Sequence, residues 1–168
     1  MKLRYQVGDK VVHPVYGAGT VTAIAHKSIA GTEKRYYVIE PMIHDMQIMV
    51  PVDGAKDARL RDVVKGSGIS KVLRVLRSAP RELADDHKER QELVTEKLRS
   101  ANPIKIAEVT RNLSWLQRHR GRLGSKDTKL LDRARNLLAG ELAVAEGTGF
   151  EDALSRIDTA LNPEKQKH

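Results

Sequence analysis

The order of apolar and polar positions divides this chain into two parts with different periods. Through residue 64, short runs with a period of two alternate with turns rich in glycine and proline, a pattern typical of β-strands. A hairpin loop is expected at Ser28–Thr32. In the last full strand, alternation directs Met46, Ile48 and Val50 to one face and Met49 to the other. The predicted strands are Lys10–His13, Thr20–His26, Lys34–Glu40, Met46–Val50 and an edge strand at Leu60–Val64.

The segment that leads into the second strand contains the clearest turn signals. A Gly-Asp turn precedes the first strand, Pro14 breaks that strand, and Tyr16–Gly19 supplies paired glycines between β-branched residues. This arrangement indicates a tight, strongly bent connection between strands, as at the start of a small barrel. Small barrels of this kind usually bind another macromolecule and rarely catalyse a reaction.

Beyond Gly68 the apolar residues recur with a period near 3.6, which predicts helices. Asn102 and Pro103 form a strong start signal, because Asn caps free N–H groups and Pro fits the first helical turn. Ser125 is the expected cap of the fourth helix. The five predicted helices run from Ile69 to near Pro80, from Arg81 to about Arg99, from Asn102 to Gly121, from Ser125 to Gly147 and from about Phe150 to Leu161.

These elements predict an α+β chain, with an N-terminal SH3/Tudor-like small β-barrel followed by a compact all-α domain of about five helices. The barrel is assigned to residues 1–64 and the helical domain to residues 69–161. The glycine-rich sequence at 65–68 is predicted to be a linker, and the polar residues 162–168 are predicted to form a flexible tail.

The net charge of +8 is concentrated in one part of the helical domain. Residues 97–135 contain eleven Lys or Arg and three acids, so this segment alone carries the whole excess. Lys126, Lys129 and Arg133 share one helix face by their spacing. They are interpreted either as phosphate contacts or as the solvated face opposite the leucines of the same helix, and both interpretations can hold together.

The chain contains no sequence pattern of a known catalytic or metal site. It has no cysteine, and the usual nucleotide-loop, hydrolase and zinc-protease motifs are absent. We therefore expect no enzymatic activity, cofactor, metal ion or small-molecule substrate. No apolar run is long enough for a membrane span or a signal peptide, so a cytoplasmic location is expected. Trp115, the single tryptophan, is interpreted either as a packing residue or as a stacking platform.

Several segments resemble the CarD/CdnL family of bacterial transcription regulators. In the barrel they are VGDKVVHPVYGAGTV, IAGTEKRYYVIE, the Val50–Val52 sequence VPV and LRDVV from Leu60. In the helical half they are KIAEVTRNL at Lys105–Leu113 and LLDRARNLLAGELAVAE at Leu130–Glu146. Each motif alone is weakly specific, but together they cover nearly the whole chain in the family's order.

The resemblance implies that the barrel binds the β subunit of bacterial RNA polymerase. The implied polymerase-binding positions are Lys27, the nearby Ile29, and Met49, which stands where the family usually has Arg. The helical domain is implied to contact promoter DNA at the upstream edge of the transcription bubble and to modulate open-complex stability.

The resemblance also assigns a DNA wedge to the second helix. Where the family has a Trp that inserts at the minor-groove edge of the bubble, this chain has His87. The neighbouring Lys88 and Arg90 are implied DNA contacts, whereas Glu89 and Glu92 stand where family members tend to be basic.

The leading hypothesis is a non-enzymatic regulator that binds RNA polymerase through its barrel and DNA phosphates through its basic helices without reading sequence. The alternative is a polymerase-binding adaptor whose helical domain recruits a protein partner rather than DNA. An RNA-binding module is a third hypothesis, although an aromatic content of 4% supplies few stacking platforms.

Overall fold

The computed structural model describes residues 3–55 and 58–162, and within them one antiparallel sheet has the strand order β4-β3-β2-β1-β5. The predicted tail beyond residue 162 lies outside the described residues. Five helices follow the sheet, so the predicted α+β fold is confirmed. The strands are β1 (Lys10–His13), β2 (Gly17–Ile29), β3 (Thr32–Pro41), β4 (Ile48–Pro51) and β5 (Arg61–Asp62).

The hairpin between β2 and β3 is longer than its sequence suggests. Ile29 pairs with Thr32, so only Ala30 and Gly31 form the turn, in place of the five-residue loop predicted there. Both have positive φ, 52° and 79°, which is the geometry of a type I′ turn. Because that turn matches the twist of paired strands, the ladder continues to the tip of the hairpin.

One hydrophobic cluster fills the inside of the curled sheet. Its side chains come from the strands β1 to β4, from the segment before β1 and from the segment between β4 and β5: Tyr5, Val11, Val21, Tyr37, Ile39, Ile48, Val50, Ala55 and Leu60. The Tyr5 hydroxyl donates to the Leu60 carbonyl at 3.2 Å, and burial raises the pKa of this phenol. The predicted alternation is confirmed for β4, except that Met46 is 50% exposed because the strand begins only at Ile48.

The five helices differ from their predicted bounds mainly at their starts. Within the predicted linker, Gly66 already begins the first helix, so that segment is not an extended linker. The second helix begins at His87 and not at Arg81, because the Asp86 side chain accepts from the Glu89 N–H at 2.9 Å. The helices are α1 (Gly66–Arg77), α2 (His87–Arg99), α3 (Pro103–Arg120), α4 (Ser125–Glu146) and α5 (Phe150–Leu161).

The two later helix starts show when a capping signal is reliable. The Asn102 side chain accepts from the N–H groups of Ile104 and Lys105, which confirms the predicted cap of α3. Ser125 was the wrong cap for α4, since Gly124 occupies that position and no side chain caps the helix. The residue that precedes the first helical φ and ψ caps a helix, and spacing alone does not separate two neighbouring candidates.

The sheet and the helices share an apolar interface. Val12, Ala18 and Val63 of the sheet module form a small buried cluster with Val144 of α4. Gly140 of α4 faces Ile43, whose Cγ2 would lie 3.2 Å from an added Cβ. Close approach of the two modules therefore fixes α4 across the strands β1 and β2.

A partly buried ion pair links the two modules at that interface. The Arg61 guanidinium donates to both carboxylate oxygens of Glu141 at 2.7 Å, and the Glu141 side chain is 4% exposed. Arg61 also donates to the Ala101 carbonyl, and the Val64 N–H donates to Glu141 at 2.9 Å. One carboxylate thus connects the edge strand β5, the segment before α3 and the middle of α4.

Candidate functional site

Lys27, Ile29 and Met49 lie on one face of the sheet. Opposed residues of antiparallel strands point to the same side, and Lys27 pairs with Lys34 while Met49 pairs with Val38. Lys34 and Val38 are four residues apart on β3, so their partners share the face opposite the buried Tyr37. Ile29 is 53% exposed and Met49 is 37% exposed. We call this surface the outer sheet face.

Two residues that were not predicted from the sequence also belong to the outer sheet face. Lys34 is exposed opposite Lys27, and the half-buried Tyr36 lies between the lysine and methionine positions along β3. Alternation along β3 is the signal that could have placed Tyr36 on this face, since the adjacent Tyr37 is buried on the other. The face therefore offers cations at the hairpin end and apolar side chains, including an aromatic ring, nearer to β4.

A second exposed surface lies on α4. Lys126, Lys129 and Arg133 are exposed and recur at one-turn spacing from the start of this helix. Arg133 also donates to the Val15 carbonyl at 3.2 Å, which places the last of the three beside the sheet module. We call these three residues the α4 basic face.

Only part of the basic segment 97–135 contributes free charge to a surface. Arg111 and Arg118 donate to uncharged internal acceptors. Three other cations form ion pairs: Lys97–Glu108, Arg120–Asp85 and Arg135–Asp158. In the described ranges, the cations of this segment that join neither an ion pair nor one of these internal hydrogen bonds are Arg99, Lys105, Arg122, Lys126, Lys129 and Arg133.

Arg90 does not belong to either surface. It is 1% exposed, and its guanidinium pairs with Asp127 of α4 at 2.6 Å while donating to the carbonyls of Ala84 and Asp85. The prediction that Arg90 contacts DNA is therefore wrong, because every nitrogen of the group is used inside the protein. The residue that pairs with it lies 37 positions away in the sequence.

His87 and Lys88 are both exposed at the start of α2. The His87 Nδ1 lies 2.8 Å from a terminal nitrogen of Arg90. A guanidinium only donates, so the ring nitrogen accepts. Because Arg90 is in turn held by Asp127, the His87 ring is oriented by contacts that lead back to α4.

Comparison with protein-family models decides the family of this chain. A model described as the CarD-like/TRCF RID domain matches residues 5–64, and the CarD C-terminal domain model matches residues 71–158. The chain belongs to the CarD-like family of transcription factors. That family interacts with the transcription machinery, and it is a class of transcription factor and not of enzyme.

Two individual proteins illustrate the similarity. The CarD-like chain is 28% identical over 143 residues to a Bacillus subtilis protein described as putative transcription factor YdeB, covering 85% of this chain and 93% of that one. It is also similar to the solution NMR structure of the 72-residue N-terminal domain of Myxococcus xanthus CarD. That match has 30% identity and a TM-score of 0.30, and it covers 37% of this chain and 83% of the other.

One face of the Trp115 ring is covered in this CarD-like chain. Its ring is half-buried and stacks on His119 with centroids 3.9 Å apart and an interplanar angle of 27°. The two residues are four apart on α3, so they meet on one helix face. Because His119 covers one ring face, a stacking platform at Trp115 would have to use the other face.

Metal-binding and membrane-spanning features are absent from the described part of the chain. In residues 3–55 and 58–162, no group of three or more His, Cys, Asp or Glu is arranged to hold a metal ion. No helix within those ranges combines the length and apolar character needed to cross a bilayer.

Proposed function

We propose that this protein is a non-enzymatic regulator of transcription initiation in the bacterial cytoplasm. Its outer sheet face binds the β subunit of RNA polymerase, and its helical module binds the backbone of upstream promoter DNA without reading sequence. Bound in this way, it modulates the stability of the open complex. The proposal needs two separate exposed surfaces on one chain, and the outer sheet face and the α4 basic face have that relation.

The α4 basic face is the observation that carries the DNA half of the proposal. Its three cations are exposed, spaced one helical turn apart, and free of acidic partners among the described residues. Phosphate contacts of this kind position a protein on DNA and make binding depend on salt, without sequence preference. At the start of α2, Lys88 adds another exposed cation and His87 adds an exposed planar ring.

The outer sheet face supports the polymerase half. It combines Lys27 and Lys34 with the exposed apolar side chains of Ile29 and Met49. Protein interfaces usually place apolar and aromatic side chains at their centre and charged side chains at the rim. With Met49 in the position where the family usually has Arg, apolar contact carries more of the docking here.

The DNA half is tested by the salt dependence of binding of the full chain to a duplex. Reversal of Lys126, Lys129 and Arg133 to Glu is expected to lower the slope of log Kobs against log salt by about 0.9 for each phosphate that the variant no longer neutralises. Reversal of Lys71, Arg74 and Arg77 to Glu on α1 changes the net charge by the same amount at another exposed site, and it serves with the single Lys71→Glu variant as the control. An unchanged slope in the triple variant contradicts DNA binding by this face.

The polymerase half is tested by retention of the β subunit on immobilised full-length protein. Lys27→Glu with Met49→Glu is expected to abolish retention, because both substitutions place acids on the outer sheet face. The same Lys71→Glu variant is the control. Equal retention by the double variant and the wild type would remove the docking assignment.

One observation favours the adaptor as a second candidate. Leu93 is 48% exposed on α2, and Glu89 and Glu96 lie on the same face one turn to either side. An acidic and apolar surface suits a protein partner better than phosphates. The adaptor is preferred if the α4 triple variant binds DNA as the wild type does and Leu93→Ser alone reduces transcription activity.

A further inference from the structure

We propose that the groove between the two modules is a second phosphate-binding site, in which Arg59 and Arg99 bind the backbone of the same DNA that the α4 basic face binds. The inference rests on the proposed DNA binding and deepens it, because it adds a contact from the sheet module. Neither Arg59 nor Arg99 was predicted from the sequence to contact DNA.

The groove has a volume of about 580 Å³ and is built from both modules. One wall is the β1–β2 turn at His13–Val15 and the loop residue Arg59. The opposite walls are α2, through Leu98 and Arg99, and α4, through Leu130 and Arg133. A ligand in this groove therefore touches two modules at once.

The charge of the groove has one sign. Three arginines line it, and no Asp or Glu is among the described residues around it. Within the described ranges, Arg59 and Arg99 make no ion pair or side-chain hydrogen bond, and the only bond of the Arg133 side chain is the one to the Val15 carbonyl. An arginine has five N–H donors, so most of the donors in the groove are available to an anion.

A second arginine-lined cavity shows what a structural arginine looks like in this fold. It lies at the end of α1, where Arg111 donates to Asn112 and Ser78, and Arg118 donates to the Leu161 carbonyl and to Asn162. Those guanidinium groups donate hydrogen bonds to residues at the ends of α1 and α5, so they hold these helix ends in place. Arg59 and Arg99 have no such role among the described residues.

The backbone of Arg59 is in a strained conformation. Its φ is +59°, in the left-handed region that glycine and asparagine tolerate best. A longer L-residue in that region costs about 1 kcal/mol or more. Asparagine would fit this position with less strain, so Arg59→Asn removes the guanidinium without adding strain to the backbone.

Continuity with the α4 basic face selects DNA as the occupant. Lys126, Lys129 and Arg133 form one row, and the last of them is itself part of the groove lining. The row covers about 10 Å at 1.5 Å per residue, so neighbouring phosphates of one strand can follow it into the groove. The apolar floor of Leu98 and Leu130 suits the deoxyribose between phosphates.

The first test measures duplex binding of the full chain by fluorescence anisotropy across a salt series. Arg59→Gln and Arg99→Gln are each expected to reduce the salt slope by about 1, and the double variant by about 2. Arg74→Gln, an exposed arginine on α1, is the matched control and is expected to behave as the wild type.

A companion variant separates the groove from the function it rests on. Lys126→Glu with Lys129→Glu tests DNA binding on α4 without touching the groove lining. If that variant lowers the slope and the two Gln variants do not, the groove proposal is overturned and the DNA function stands. If none of the variants lowers the slope, both proposals fall.

Arg59→Asn distinguishes a binding role from a structural one. Asparagine accepts the left-handed backbone, so the melting temperature is expected to stay equal or to rise, while the salt slope falls as it does for Arg59→Gln. A lower melting temperature with an unchanged slope would show that the arginine supports the loop and does not bind phosphate, which overturns the proposal.

The absence of cysteine allows a direct proximity test. Thr95 lies in the groove wall, so Thr95→Cys carrying an iron chelate is expected to cleave bound DNA locally. Ser155→Cys on the exposed side of α5 is the control and is expected to cleave little. Equal cleavage from the two positions, or none from Thr95→Cys, assigns the groove to a protein or small-anion occupant and overturns the proposal.

Discussion

The outer sheet face and the α4 basic face are organised in different ways. The outer sheet face comes from one continuous hairpin and its neighbour β4, so the alternation of β-strands alone decides which side chains it presents. The surface around α4 is assembled from segments far apart in sequence, with α2 held by Asp127 and Arg133 touching the Val15 carbonyl. Substitutions are therefore expected to act locally on the first surface and through tertiary contacts on the second.

The largest effect on stability is expected at the buried ion pair of Arg90 and Asp127, which holds α2 against α4. Asp127→Asn leaves the Arg90 guanidinium buried without its anion, which costs about 3–5 kcal/mol. The melting temperature is expected to fall by roughly 6–20 °C. Differential scanning calorimetry measures this, with Lys27→Gln on the outer sheet face as a control expected to stay within about 0.5 kcal/mol.

The same site offers a rescue that makes this prediction specific. Arg90→Met combined with Asp127→Leu removes both charges and is expected to restore most of the stability, since apolar residues of similar volume often replace a buried pair at no net cost. If Asp127→Asn is as stable as the wild type, the pair does not hold α2 against α4 and the contrast between the two surfaces disappears.

A smaller decrease in stability is expected at the junction of the modules. Glu141→Gln keeps an acceptor for the Val64 N–H but removes the charge opposite Arg61, which costs about 2 kcal/mol. Hydrogen exchange at the Val64 amide is expected to accelerate, together with a lower melting temperature. Glu146→Gln at the end of the same helix is the control. If exchange at the Val64 amide accelerates in this variant as well, the effect is not specific to Glu141.

His87→Trp sharpens the comparison on the DNA side. A larger planar side chain at the start of α2 stacks on an open base step with an energy of about 1–3 kcal/mol. The lifetime of a promoter open complex is expected to lengthen on the order of tenfold relative to wild-type protein. Because Trp cannot accept from Arg90 as His87 does, unfolding of the variant is measured in parallel; no change in lifetime with a normal melting temperature contradicts the wedge assignment.

Met49→Arg is the counterpart on the outer sheet face, and a smaller effect is expected. Adding the cation that the family usually has at this position is expected to increase retention of the polymerase β subunit about threefold, mainly through a faster association rate at low salt. The Met49 side chain lies on the outer sheet face, away from the buried cluster inside the sheet, so stability is expected to stay unchanged. Weaker retention would indicate that apolar contact at Met49 is required.

The smallest effect concerns pH. The His13 Nδ1 accepts from the Val15 N–H at 3.0 Å, and burial lowers the pKa of this histidine from 6.5. The unfolded chain takes up the proton first as pH falls, so stability is complete above pH 6.5 and declines as the pH drops below that value toward the folded pKa. His13→Asn keeps an acceptor without titrating and is expected to flatten the decline, measured by urea unfolding.

The sequence predicted most of the fold because strands and helices follow local periodicity. All five strands and five helices found in the described residues were expected, and Asn102 was the correct cap of α3. The short loop at Ala30–Gly31 was missed because a type I′ turn there puts a non-glycine residue at positive φ. The start of α2 was missed because Glu82, Asp85 and Asp86 all suit a helix N-terminus, so the sequence did not single out Asp86 as the cap.

The candidate surfaces were predictable to different extents for the same reason. Alternation was enough to place Met49 on the exposed face of β4, whereas Ile29 was assigned to a hairpin loop and was singled out only by the family resemblance. No residue near Arg90 in the sequence indicates that it is buried in an ion pair with Asp127. That partner is 37 residues away, and the pair depends on how α2 and α4 pack. The groove arginines could not be predicted either, because Arg59 and Arg99 lie on different modules and line one groove only in the folded chain.

The position of Glu141 has a geometric consequence for a complex with polymerase. Its carboxylate holds β5 and α4 together, so the span from the outer sheet face to the start of α4 is set by a sheet and a 22-residue helix and not by a flexible tether. In the proposed complex, the protein would present its cations at one distance from the polymerase, where the effective concentration of DNA is high. Its contact site on the promoter would then be set by a fixed distance from the polymerase, and the base sequence at that site would matter little.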